Sequence, residues 1–300
     1  MKREEVLKQL NLKLPVVASP MFLVSQVELV LESCKAGIIG TFPALNNRTT
    51  EGFEEWLIQI KSELKQHEEK TGQTLPPYGV NLIVHRTNPR VQADLEVCVR
   101  QKVPIIITSL GAVKDLVEEV HSYGGLVFHD VINIRHARKA IAAGVDGLIL
   151  VSAGAGGHAG KLNPIPFVSE IREIFDGIIL LGGCLSNGRD IATALQMGAD
   201  LAYMGTRFIN TTEAIASEGY QNMIIDAGTS DIIYSAAVSG VNGNYIRQSL
   251  EAVGITKELW EMKAKVDFSK TLDKEAKAWK TIWSAGQGVA TIKDTLPAGD

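Results

Sequence analysis

The 300-residue chain has little of several things, and each shortage removes a class of function. It has only three cysteines, Cys34, Cys98 and Cys184, widely spaced and without a CxxC pair. Neither a disulfide framework nor a cysteine metal site is therefore expected. No apolar run approaches the ~18 residues that a membrane helix requires. The first segment, MKREEVLKQL, is charged and lacks an apolar stretch of signal-peptide length, so a reduced, cytoplasmic protein is expected. An excess of basic residues is missing too. With a formal net charge of −4 and no Lys/Arg cluster, neither nucleic acid nor an anionic membrane surface is an expected partner. There is no GxGxxG fingerprint either. A metabolite-sized substrate is what remains.

What the chain does have is a repeated alternation. Hydrophobic residues make up 45% and charged residues 21%, enough for a large core in a single domain. Eight short apolar runs recur: Leu14–Ser19, Ala36–Thr41, Tyr78–Val84, Pro104–Ser109, Gly125–Asp130, Asp146–Val151, Gly177–Gly182 and Ala199–Gly205. Continuous Val/Ile/Leu strands indicate a parallel sheet covered on both faces. Amphipathic stretches such as Asn133–Ala143 and Gly188–Met197 supply the crossover helices, and Gly37, Gly124, Gly144 and Gly198 sit where left-handed helix ends belong. Eight units close naturally into a (β/α)₈ (TIM) barrel; an open doubly wound sheet is the competing arrangement. Residues 1–210 and 281–300 are expected to form the barrel. Residues 211–280, which include the charged run VDFSKTLDKEAKAWK, are expected to be a helical lid over its mouth.

In such a barrel the chemistry lies at the C-terminal ends of the strands. Gly182-Gly183 and Gly205-Thr206 fall at the ends of the seventh and eighth runs, where backbone N–H groups can approach a phosphate closely. The loop Ser152–Gly160, SAGAGGHAG, surrounds His158 with glycine and alanine, so its backbone can lie against a planar ring. The imidazole is then presented as a general acid or base. His67, His121 and His136 fall on expected helices and are read as solvated. Asn81 ends an apolar strand and serves either a ligand or a neighbouring loop. Met21 and Phe22 form either an apolar wall or packing under the first loop, and Arg207 faces either the phosphate or a structural carboxylate.

Taken together these pieces resemble a family. Ala18-Ser19-Pro20-Met21, Gly79-Val80-Asn81, the loop Ala155–Gly160, Gly182-Gly183, Met204–Phe208 and the segment Ile282–Gly288 are similar to the FMN-dependent nitronate monooxygenases over nearly the whole chain. The resemblance implies FMN as cofactor and a small-molecule substrate with oxygen. In it His158 takes the α-proton of a neutral nitroalkane or hydrogen-bonds the nitro group of a nitronate. The nitronate reduces the flavin by one electron, oxygen enters, and a carbonyl compound and nitrite leave. It gives cofactor contacts to Ala18, Ser19, Met21, Asn81, Asp130, Ser152, Gly156, Gly157, Gly182, Gly183, Cys184, Gly205 and Thr206. Substrate contacts fall to Phe22, Trp283 and Ser284. A homodimer is compatible with it. Asp130 departs from the family, whose better-known members place a lysine there; this carboxylate is expected to be turned away or held by a partner such as Arg135, with His129 or a helix N-terminus as the substitute near the flavin. An NAD(P)H-dependent enoyl-thioester reductase and a non-catalytic FMN-binding barrel are the alternatives.

Overall fold

All eight apolar runs are strands, and they close on themselves. In the computed structural model, which describes residues 3–85, 87–111, 114–238, 240–261 and 281–300, the strands are β1 (Val16–Ala18), β2 (Ile39–Pro43), β3 (Gly79–Ile83), β4 (Ile105–Ser109), β5 (Leu126–Val131), β6 (Gly147–Val151), β7 (Gly157–His158), β8 (Ile178–Gly182), β9 (Leu201–Met204), β10 (Ile232–Ser235) and β11 (Gly243–Ile246). Parallel pairing runs β1-β2-β3-β4-β5-β6-β8-β9. The ring closes where Val16, Val17 and Ala18 of β1 pair with Ala202, Tyr203 and Met204 of β9. The open sheet is thereby excluded.

The period-2 alternation of each strand divides the core into two layers. Ile105, Ile107, Phe128, Ile149, Leu180 and Leu201 fill the barrel together with Val6 and Leu10, which place the helix Arg3–Gln9 against the inner cluster. The residues between them, such as Ile106, Val127, Leu148 and Ile179, pack outward against the surrounding helices. Helix ends follow the local chemistry. Asn133 caps Ile134–Ala143 by accepting from the His136 N–H, and Gly37, Gly124, Gly144 and Gly198 all have positive φ.

After β9 the chain leaves the repeat. Helices Glu218–Asp226, Arg247–Ala252 and Lys257–Trp260 are joined there by a β10–β11 hairpin that periodicity had not indicated. The whole run VDFSKTLDKEAKAWK, with the rest of 262–280, lies outside the described residues. Among the described residues no helix is long and apolar enough to cross a membrane.

Candidate active site

The inward alternation does not stop at the hydrophobic layers. Counting on from Phe128, Ile107 and Leu201 by two, the top of the barrel presents Asp130, Ser109 and Tyr203. Asn81, between the outward Val80 and Leu82, joins them. These four side chains line a cavity of about 470 Å³ at the C-terminal mouth, a size typical of small-molecule sites. The same count turns His129 outward, where its Nδ1 meets the Thr108 hydroxyl at 2.7 Å. Burial there pushes its pKa down to about 4, so it is a neutral packing residue and not the flavin partner expected of it.

The polar floor is wired in one direction. Asn81 Nδ2 donates to the Ile107 carbonyl at 3.2 Å and to Ser109 Oγ at 2.8 Å; Ser109 Oγ donates to Asp130 Oδ2 at 2.6 Å. Asp130 Oδ1 is buried without a partner, and burial raises the carboxyl pKa to about 6. Arg135 does not serve as counter-charge: its guanidinium contacts His136 instead.

Glycine-bearing strand ends make the second wall. Gly182, Gly183 and Cys184 at the end of β8 line the rim together with Gly205 and Thr206 at the end of the neighbouring β9. Gly183 has φ +126°, and a Cβ built there would lie 2.5 Å from Ser152 Oγ, so only glycine fits. Cys184 follows with φ +60°. Two successive residues with positive φ turn the main chain sharply at this strand end. Beside it, Ser186 Oγ is buried, lines the cavity and has no partner in the protein.

His158 reaches the cavity from β7, not from a free loop. It pairs with Gly243 and Gly157 pairs with Asn244. A Cβ at Gly243 would sit 2.8 Å from the Gly157 carbonyl, so this approach also requires glycine. Asn244 Nδ2 donates to the Ala155 carbonyl at 2.6 Å, Ala159 N–H to the Asn242 carbonyl, and Tyr234 Oη to the Ala159 carbonyl. The hairpin thus fixes the histidine's backbone from both sides. Desolvation lowers the His158 pKa and favours the neutral imidazole, the form able to accept a proton. The Asn244→Ala variant should leave the buried Ala155 carbonyl unsatisfied, costing about 1–3 kcal/mol. A several-degree fall in Tm is expected; an unchanged Tm would show that the hairpin does not hold this loop.

The third wall is the segment 281–291. Gly286 N–H donates to Thr206 Oγ1 at 2.9 Å and Gln287 N–H to the Gly154 carbonyl at 2.8 Å, tying strap, β9 end and histidine loop together. Trp283 stacks on Tyr220 with ring centroids 5.1 Å apart, and Tyr220 Oη donates to the Ser284 carbonyl at 2.6 Å.

Ser19, Met21, Phe22, Asn81, Asp130, Gly156, Gly157, His158, Trp283 and Ser284 all line the cavity, with the five strand-end residues named above. Ala18 and Ser152 do not. Ala18 is buried in the outer cluster beneath the mouth, and Ser152 Oγ donates to the Gly182 carbonyl at 2.8 Å as an internal strut. Arg207 is structural: it pairs with Asp294 at 2.7 Å and donates to the Asn210 carbonyl. His121 is not simply solvated, since its Nε2 meets Asp146 Oδ2 at 2.8 Å. The sequence reading missed Ser109 and Tyr203, which strict counting by two would have found, and Tyr220, for which it held no signal.

A family model described as nitronate monooxygenase matches residues 43–300. A nitronate monooxygenase of Neurospora crassa is 27% identical, over 95% of this chain and 86% of that one. Among solved structures, a nitroalkane oxidase from Streptomyces ansochromogenes has a TM-score of 0.81 at 22% identity, covering 98% of this chain and 94% of that one. FabK from Thermotoga maritima has a TM-score of 0.78 at 21% identity, covering 100% and 93%. At such identities the two structures speak for the barrel fold alone.

Proposed function

The chain belongs to the nitronate monooxygenase family of flavin-dependent oxidoreductases, and from that premise we propose that it binds FMN at the barrel mouth and oxidises alkyl nitronates with oxygen, using His158 as base for neutral nitroalkanes. The observation that carries this reading is a neutral, desolvated imidazole on a fixed backbone, lining a cavity whose rim also carries the positive-φ Gly183-Cys184 turn. The donor set suits FMN. The Gly183-Cys184 turn and the unpartnered Ser186 hydroxyl fit a phosphate, and the flat glycine backbone of Gly156-Gly157 leaves room for a ring. Gly182, Gly205 and Thr206 would complete the phosphate side, and Asn81 and Asp130 would meet the polar edge of the ring. Ser19 and Met21 would border the ring from the β1 end. When bound, the flavin supplies the electron transfer that no side chain here can perform.

The protein's own residues do the rest. His158 Nε2 or Nδ1 accepts the α-proton of a neutral nitroalkane; with a nitronate, already deprotonated, it is needed only as a hydrogen-bond partner. The strap and the Tyr220–Trp283 stack exclude water from one side of the cavity. Phe22, Ile215, Ala216, Tyr220, Ile282 and Trp283 give that side an apolar lining, with Ser284 at its edge. A substrate's alkyl tail is accommodated there.

The decisive experiment is an absorption spectrum after FMN reconstitution, followed by anaerobic addition of a nitronate without nicotinamide. Conversion of the oxidised flavin bands to those of the one-electron-reduced flavin is expected. Absence of bound flavin would sink the reading, and bleaching only by NAD(P)H, with turnover of an enoyl thioester, would replace it by the reductase alternative. Across a series of primary nitronates, kcat/KM should rise by up to about fourfold per methylene, the increment for burying a CH₂ group. The Trp283→Ala variant should flatten that slope. A flat wild-type series would remove the apolar wall from substrate recognition.

A further inference from the structure

Asp130 is a carboxyl group in a setting made for a neutral acid. An ionised carboxylate is best held by several donors or a cation. Here Oδ2 receives one hydrogen bond, from Ser109, and Oδ1 receives none. The Asn81 amide donates to Ser109, so the Ser109 hydroxyl proton is committed to Asp130 and no further donor reaches the carboxyl along this chain.

The groups around it supply no positive charge. On β4 there is only Ser109 and on β6 the apolar Val151. On β9 the Tyr203 phenol has its own pKa raised, first by burial and then by Asp130. His129, next in the chain, points outward and is neutral, and Arg135 is turned to His136. The other titratable side chains of the cavity are His158, favoured neutral, Cys184, whose thiol pKa is raised, and Tyr220, whose phenol burial pushes up to about 12. Among the described residues no lysine or arginine lines the cavity.

Resting on the flavin reading above, we propose that Asp130 stands in the loaded site as a neutral carboxylic acid and is the group through which flavin binding takes up a proton. A planar ring laid on the cavity floor removes the water still reaching this side chain, and burial without a new cation penalises only the ionised form. The ring's polar edge is rich in acceptors, for which a protonated carboxyl is the matching donor. The free carboxyl, with a pKa of about 6, is largely ionised at pH 7 and must gain a proton as the site fills. The sign follows: binding is strongest below pH 6 and weakens above it.

The test is FMN affinity, measured by quenching of flavin fluorescence from pH 5 to 8, for the wild type and the Asp130→Asn variant. Asparagine copies the shape and donor of the neutral acid but cannot ionise, and both proteins share the titration of the FMN phosphate and of His158. The ratio of wild-type to variant Kd should be flat below about pH 6 and rise by up to about tenfold per pH unit above it. Calorimetry of the wild type at pH 7, in two buffers of different ionisation enthalpy, should show uptake approaching about one proton per flavin beyond that of the variant. A ratio unchanged across the range, or equal proton uptake by both proteins, overturns the proposal while leaving the flavin reading intact. Failure of the wild type to bind FMN at any pH overturns the flavin reading and the proposal with it, whereas failure of the variant alone overturns only the proposal.

Discussion

Replacing His158 by asparagine is expected to lower turnover of neutral nitroalkanes by about 10²- to 10⁴-fold, the usual contribution of a general base. Turnover of the corresponding nitronates should change far less, by about tenfold or under. The two substrates differ by the proton that the base removes, so the contrast isolates that step from flavin binding and oxygen chemistry. Asparagine keeps a polar side chain, and β7 is held through its backbone to Gly243 and Asn244, so the loop should stay in place. The pH profile carries a second signature. Desolvation sets the imidazole's pKa below its ordinary value of 6.5, so the base form already dominates at neutral pH. Nitroalkane activity should be level there and fall only on acidification through that lowered pKa; the variant should lose this limb. Equal losses on both substrates would defeat the assignment of His158 as base.

The second large effect is expected at Gly183. Alanine there must adopt φ near +126°, a region almost closed to residues with a Cβ, and would place that Cβ 2.5 Å from Ser152 Oγ. Strain of this kind is worth about 1–3 kcal/mol, and relief requires the turn to open. An opened turn no longer aims its backbone at a phosphate. Flavin affinity should therefore fall by roughly 5- to 150-fold, the same energy expressed as a binding ratio. Far-ultraviolet circular dichroism should stay that of the wild type, because the barrel closes through β8 and β9 below the turn. Flavin content after gel filtration gives the answer directly. Full FMN occupancy in a folded Gly183→Ala protein would move the phosphate away from this strand end.

Much of this site is legible in the chain once strands are counted by two. The alternation that buries Ile105 and Ile107 also turns Ser109 inward, and the one that buries Phe128 turns Asp130 inward and His129 outward. Adjacency in sequence made His129 look as useful as Asp130, and the family resemblance gave Ala18 and Ser152 as cofactor contacts. In the fold Ala18 is packing and Ser152 is a strut. For Arg207 the sequence leaves a phosphate and a structural carboxylate both open, and Asp294, far along the chain, decides for structure.

By itself, the sequence determined the barrel, because eight continuous apolar runs alternating with amphipathic helices can be buried on both faces in few other ways. It also determined which strand ends carry glycine, since backbone conformation is a local property. Only the tertiary structure decided what holds those ends. The β10–β11 hairpin that fixes His158, the strap tied to Thr206 and Gly154, and the Tyr220 ring under Trp283 are contacts between distant segments. Asp130's missing counter-charge belongs with them. A carboxyl group's protonation depends on every group within a few ångströms of it, and that neighbourhood exists only once the chain has closed.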